Sequence, residues 1–194
     1  MSAGYADRTD GELAVLSRGG DAAAYGEIVR RHKQPLHRIV ARLAGDEEEA
    51  VDIVQDAFIA AHAAISKFDT GRSMRTWLTR IAVNKARDWR RRRIVRRFIS
   101  AMLPDEAIEV ADDVPAIDSA VADRAELARV EAAIGRLPAN LREVLVLRTI
   151  EGLTQAEVGE ALGIGEKTVE TRLYRARLKL REDLGRPAPG QGGA

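Results

Sequence analysis

The stretch that most constrains the fold is Leu153–Arg181, LTQAEVGEALGIGEKTVETRLYRARLKLR. Thr154 and Glu157 stand in the S/T-x-x-E relation of a capping box, so a helix is expected to begin at Gln155. Gly163-Ile164-Gly165 breaks it, because glycine supplies the backbone freedom of a sharp turn. A second helix is expected from Glu166, where Val169, Leu173, Ala176 and Leu180 recur on one face. Two short helices across such a turn form the pattern of a helix-turn-helix.

The second helix keeps Lys167, Glu170, Thr171, Tyr174 and Arg181 off its apolar stripe, and Arg172, Arg175, Arg177 and Lys179 flank it. Base-reading groups near the N-terminal end, with cations along the sides, suit a DNA major groove lined by phosphates. A helical hairpin with a solvated basic face has the same local pattern, so the rest of the chain must discriminate.

The chain has 194 residues, enough for one large or two small domains, and 45% of them are apolar, as in a protein that buries a core. Aromatics make up 4% and helix-favouring residues abound, which points to an all-α fold. No apolar run approaches a membrane span, and MSAGYADRTDGEL lacks the form of a signal peptide, so the expected location is cytoplasmic. There is no cysteine, and His32, His37 and His62 have no metal-ligand spacing. Neither a metal nor another cofactor is expected. GIGEKT at Gly163–Thr168 resembles a phosphate loop, but Glu166 stands where lysine must follow the last glycine. An enzyme is therefore disfavoured.

The net charge of +1 conceals segregation. From Arg72 to Arg97 the only acid is Asp88, among eleven arginines and lysines; from Asp105 to Glu126 eight acids face only Arg124. The first block suits a polyanion, and the second avoids or imitates one.

In chain order, the patterns predict a helix over Gly11–Arg18 capped by Asp10, another over Ala22–Lys33, and a boundary or kink at Pro35 before Leu36–Ala44. Asp46 and Glu49 form an expected capping box for Glu47–Ser66, whose polar side carries Asp52, Gln55 and Asp56. Ser73 is the expected cap of Met74–Arg97. On that helix Trp77, Leu78 and Ile81 form the apolar side, and Arg80, Asn84, Arg87 and Asp88 project elsewhere before the run Arg90–Arg93. Trp77 and Trp89 among arginines resemble a site for single-stranded nucleic acid, although spacing assigns Trp77 to the core first. The acidic, proline-containing segment 98–119 reads as a flexible linker. Helices are expected again over Ala120–Gly135 and Asn140–Thr149, and the end of the chain, GRPAPGQGGA, is expected to be disordered. The division is thus an N-terminal segment 1–21, a helical domain 22–97, the linker 98–119, a second helical domain 120–184 and a tail 185–194.

Two blocks of this order resemble one family. AVDIVQDAF (Ala50–Phe58) and MRTWLTRIAVNKARDWRRRR (Met74–Arg93) are similar to the N-terminal domain of the extracytoplasmic-function (ECF) sigma factors, the small members of the sigma-70 family. LPANLREVLVLRTIEGLTQAEVGEALGIGEKTVETRLYRARLKLRE is similar to their C-terminal domain from end to end. The resemblance implies a promoter-specificity subunit that binds core RNA polymerase. Asp52, Gln55, Asp56 and Phe58 would meet the polymerase clamp. Trp77, Arg80, Asn84, Arg87, Asp88, Arg91 and Arg92 would meet the −10 element. Lys167, Thr168, Glu170, Thr171, Tyr174 and Arg175 would meet the −35 element. It also implies an anti-sigma factor as partner and a linker, Asp105–Asp118, that threads the polymerase channel.

The chain departs from the pattern at Val51, where an acid is frequent, at Gly159, where alanine is usual, and at Glu170, often lysine or arginine. A stand-alone helix-turn-helix repressor or activator is the alternative. It accounts for Leu153–Arg181 but not for the Ala50–Phe58 and Met74–Arg93 helices.

Overall fold

The computed structural model describes the backbone of residues 4–102 and 120–185, and the side chains of 4–96 and 126–185. The acidic segment Asp105–Asp118 and the end of the tail, 186–194, lie outside these residues. Among the described residues every regular element is helical.

Helix α1 (Asp10–Arg18) is capped by Thr9 rather than Asp10. The Glu12 amide donates to the Thr9 hydroxyl at 3.3 Å, and the Thr9 amide donates back to the Glu12 carboxylate at 2.7 Å. Asp10 is drawn away from capping by α2 (Ala22–Ala44), where it accepts from Arg31 at 3.0 Å and lies 2.8 Å from His32 Nε2. Arg31 is a hub. Its guanidinium also donates to Glu27 and to the carbonyls of Tyr5, Ala6 and Arg8, which fixes the segment before α1.

Helix α2 runs unbroken through Pro35, where the sequence suggests a boundary or kink. Proline removes one intrahelical hydrogen bond, but Ala24, Ile28, Leu36, Ile39, Val40 and Leu43 on both sides of it enter one core, which holds the two halves in line. Gly45 ends α2 with φ 71°, a left-handed cap that glycine takes without strain. Helix α3 (Glu47–Ala64) passes into a short 3₁₀ turn, Ile65–Lys67. Its capping box is half formed. Asp46 accepts from the Glu49 amide at 3.1 Å, but the Glu49 carboxylate turns outward to accept from Trp89 Nε1 at 2.7 Å. Helix α4 (Met74–Met102) starts at the expected Ser73 cap, which accepts from the Thr76 amide at 3.2 Å.

The C-terminal half begins with α5 (Ala120–Arg136) and α6 (Ala139–Leu145), which continues as a π turn over Val146–Ile150. Val144, Leu145, Val146 and Leu147 are consecutive and all buried. A helix apolar all round must be covered all round. Leu141 and Leu145 pack with Leu137 and Ala176, whereas Val144, Val146 and Leu147 belong to the core that α1–α4 also build. Helices α7 (Gln155–Leu162) and α8 (Glu166–Gly185) complete the chain. The two helical units therefore pack on each other, and one apolar core runs from Leu13 to Val169.

Candidate nucleic-acid and protein-docking surfaces

The helix-turn-helix forms as its sequence requires. Thr154 and Glu157 complete a reciprocal capping box, with amide contacts of 3.2 and 2.7 Å, and Gly163 turns the chain at φ 68°. The departure at Gly159 has a steric reason. A Cβ there would sit 2.8 Å from the Ile164 carbonyl oxygen, closer than real Cβ atoms come, so alanine at this position would force the backbone of the turn to shift.

Helix α8 buries Val169 and Ala176 and leaves Lys167, Thr168, Glu170, Thr171, Tyr174 and Arg175 exposed. Thr171 Oγ1 donates to the Lys167 carbonyl at 2.9 Å, which fixes its rotamer. Among the described residues, Glu170 forms no ion pair with Lys167 and no hydrogen bond with Tyr174. Its carboxylate is held by neither neighbour.

On α4, Arg80, Asn84, Asp88, Arg91 and Arg92 are exposed, and positions 80, 84, 88 and 91 recur at helical spacing on one side. Arg87 on that side is half-buried. It forks onto the Glu143 carboxylate of α6 at 2.8 and 2.6 Å and reaches Asn84 Oδ1 at 3.3 Å. The Glu143 hydrogen bond raises the Arg87 pKa, against the opposing effect of burial. Trp77 is half-buried against Phe68, with ring centroids 5.1 Å apart. Trp89 is 6% exposed, and the Arg93 guanidinium covers its ring at 4.9 Å. Neither tryptophan offers an open face of the kind a stacked base requires.

On α3, Asp52, Gln55 and Asp56 are exposed, whereas Phe58 is 7% exposed and belongs to the core. Val51 and Ile59 are exposed beside these polar groups and, with Tyr25, Val29 and Phe58, line a groove between α2 and α3. Periodicity assigns Ile59 to a non-core face. An apolar residue there is the available sign that this face is more than solvated. Burial pushes the Tyr25 phenol up to about 12.

Between the units lie contacts that periodicity does not signal. The Glu151 side chain, 3% exposed, sits 3.7, 3.4 and 3.9 Å from Arg38, Arg42 and Arg75. Arg75 also donates to the Glu151 carbonyl at 2.7 Å. Arg72 meets Glu160 at 2.9 Å. Arg142 of α6 is buried and donates to the carbonyls of Leu43 and Leu137 at 3.2 and 3.3 Å. Its guanidinium is brought down to about 10, first by burial and then by the charge of Arg90.

Comparison with known proteins finds two family regions along the chain. The family described as Sigma-70 region 2 matches residues 28–108, and that described as Sigma-70, region 4 matches 127–180. The RNA polymerase sigma factor CnrH of Cupriavidus metallidurans is 41% identical over 172 residues, which span 87% of this chain and 90% of the relative. The ECF RNA polymerase sigma factor SigW of Bacillus subtilis is 37% identical over 172 residues, 85% of this chain and 91% of the relative. The solved structure of CnrH in complex with the cytosolic domain of CnrY superposes with a TM-score of 0.67 at 35% identity, covering 91% of this chain and 97% of that one. No described helix is long and apolar enough to cross a membrane. The chain belongs to the sigma-70 family of RNA polymerase sigma factors, in its extracytoplasmic-function group.

Proposed function

We propose that this chain binds core RNA polymerase and selects promoters through two separate DNA contacts, acting as an initiation regulator rather than an enzyme and working in the cytoplasm. The observation that carries the reading is that two exposed polar surfaces stand on two different helical units, α4 and α8, each inside the matching family region. In this reading Lys167, Thr168, Glu170, Thr171, Tyr174 and Arg175 meet the −35 duplex. Arg80, Asn84, Arg87, Asp88, Arg91 and Arg92 meet the −10 element, with Trp77 as a packed support beside them. Asp52, Gln55 and Asp56 present the polymerase-facing side of α3, and Phe58 acts from below by holding that helix in place. The relative CnrH is solved in complex with the cytosolic domain of CnrY, which supports a protein partner besides the polymerase, and the resemblance to the family makes an anti-sigma factor the expected one.

Transcription reconstituted with core polymerase tests the reading. A stand-alone repressor binds its duplex site without polymerase, usually as a symmetric dimer. A sigma factor needs core enzyme for tight promoter binding. Asp56→Arg is expected to weaken the association with core enzyme while leaving the helical content intact, because it sets like charge against a basic partner surface. Unchanged core affinity would count against this use of α3.

A further inference from the structure

Helix α1 holds a loop as well as packing on α2. Between the 3₁₀ turn that ends at Lys67 and the α4 cap at Ser73 the chain crosses over Phe68–Arg72. Phe68 is the floor of this loop, 3% exposed and packed on Trp77. Asp69, Thr70, Gly71 and Arg72 form an exposed crest. The Asp69 carboxylate accepts from the Gly71 amide at 3.0 Å, and the Arg72 amide donates to the Asp69 carbonyl, also at 3.0 Å. The crest is thus a hydrogen-bonded turn rather than a slack connection.

Two contacts tie that turn to α1. Arg18, in the last turn of the helix, donates through Nε to the Ile65 carbonyl at 3.1 Å and through Nη2 to the Phe68 carbonyl. At the other end of α1, Gly11 lies against the crest, where a Cβ would meet the Thr70 carbonyl oxygen at 3.1 Å. A cation beside the carbonyl end of a helix is favourable wherever it comes from, so Arg18 alone would mean little. The close approach of Gly11 to Thr70 has no such explanation, and it sets the height of the crest. Helix α1 is itself held still. Leu13 and Ala14 are fully buried, and Asp10, next to Gly11, accepts from Arg31.

The crest borders the surface assigned above to the −10 element. It leads directly into α4, and Arg80 stands about 10 Å along that helix from Ser73, at 1.5 Å per residue. Groups that read bases have to be held within about 0.5 Å of a productive geometry, and a loop is less precise than a helix unless another element supports it. We propose that α1 is the positioning element for this edge of the −10 surface, with Arg18 and Gly11 as the residues that set where the 69–72 crest stands beside the first turns of α4. The inference rests on the function proposed above. Neither residue touches DNA. Each acts through the crest, and thereby shifts which −10 sequences are preferred.

The test is a promoter library randomised in the −10 element and transcribed by core polymerase with the full chain. Arg18→Met removes both donors at nearly constant length. It is expected to redistribute preference among −10 sequences by about fivefold, the low end of what one mismatched base pair costs. Gly11→Ala adds one methyl, which displaces the Thr70 carbonyl by a few tenths of an ångström, and is expected to move the same positions to a smaller degree. Alanine favours a helix over glycine, so this variant is not expected to lose stability. Preference at −35 should change in neither. The control is Thr9→Ala, which loses the α1 cap, and with it stability, without removing either contact to the loop. An unchanged −10 ranking in both variants overturns the proposal. So does weakening that is uniform across sequences, which would make Arg18 a phosphate contact. Equal redistribution by Thr9→Ala overturns it too, since α1 would then only support the fold.

A second arm uses the whole chain without polymerase. The Gly71 and Arg72 amides close the turn, and Arg18→Met is expected to speed their hydrogen exchange, read by NMR, by about fivefold or more as the loop opens locally. Thr9→Ala is expected to speed exchange in α1 and not in the loop. Unchanged loop exchange in Arg18→Met, with helical content preserved, overturns the proposal. If Arg18→Met loses helical content, the promoter ranking of Gly11→Ala decides. Failure of the native chain to start transcription with core polymerase would instead sink the function reading, and loop exchange would then judge the positioning by α1.

Discussion

Helices α4 and α8 are both long and rich in cations, yet they hold their polar groups differently. Helix α8 rests on few buried side chains, Val169 and Ala176 foremost, and its outer face is free. Helix α4 is anchored along most of its described length by Met74, Leu78, Ala82, Val83, Ala86 and Trp89, and its polar side is shared with the C-terminal unit through Arg75 and Arg87. A count of charges does not distinguish the two. What separates them is whether the partner of each cation lies in solvent or inside the same chain, and that depends on tertiary packing.

The largest expected effect tests whether the two halves share one core. Leu147 is fully buried where they meet. Leu147→Ala should cost about 2–5 kcal/mol, the range for a large-to-small core change. Both tryptophans lie on α4, in the other half, so urea unfolding followed by their fluorescence reads across the seam. A shifted midpoint is expected. An unmoved one would mean that α4 is stable without the C-terminal unit and would break the comparison.

The next test sharpens the picture of α8 as a free reading face. Glu170 has an exposed carboxylate without an ionic partner on its own helix, in a place where every phosphate repels it. If it accepts from a cytosine amino group, Glu170→Gln should shift preference toward adenine at one −35 position, by roughly 1–3 kcal/mol. A selected promoter library reads this directly. An unaltered −35 profile removes Glu170 from recognition.

For α4 the contrast lies between two kinds of group. Neutralising Arg91 and Arg92 together should weaken binding on all sequences and lower the salt slope by about two counterions. Asn84→Ala should instead alter open-complex formation on some promoters only. Identical behaviour of both variants across promoters would remove the base-reading role of Asn84.

The smallest effect at neutral pH concerns Glu27, on the side of α2 tied to Arg30 and Arg31. Hydrogen bonds from Arg30 and then Arg31 hold its carboxyl down at about 2, against 4.5 for the unperturbed group. A folded pKa below the unfolded one contributes stability above pH 4.5 that is lost as pH falls toward 2. Glu27→Gln should therefore flatten the stability profile within that acid window. A profile unchanged there would show that the pairing does not differ between the folded and unfolded chain.

Much of this fold was legible because short-range rules govern it. The Thr154–Glu157 box, the Gly163 turn and the Val169–Leu173–Ala176 stripe need only neighbours in sequence. Local rules misled where a distant partner competed. Asp10 does not cap α1 because Arg31 and His32 take its carboxylate, and Glu49 leaves its capping box for Trp89. Pro35 does not divide α2 because the core on both sides of it is continuous. The exposed polar faces of α3, α4 and α8 could be read from the sequence, but the seam could not. Nothing in the spacing of Glu143 or Glu151 announces arginines 56 or more positions away.

The Arg31 hub sets a practical limit on how the protein can be re-engineered. One guanidinium gathers the carbonyls of Tyr5, Ala6 and Arg8 together with Glu27 and Asp10. An affinity tag or fluorescent fusion joined ahead of Tyr5 leaves this cluster whole. Trimming past Arg8 strips three acceptors from a side chain that is only 23% exposed, so a shortened version should be cut no closer than Tyr5 if α1 is to keep its seat on α2.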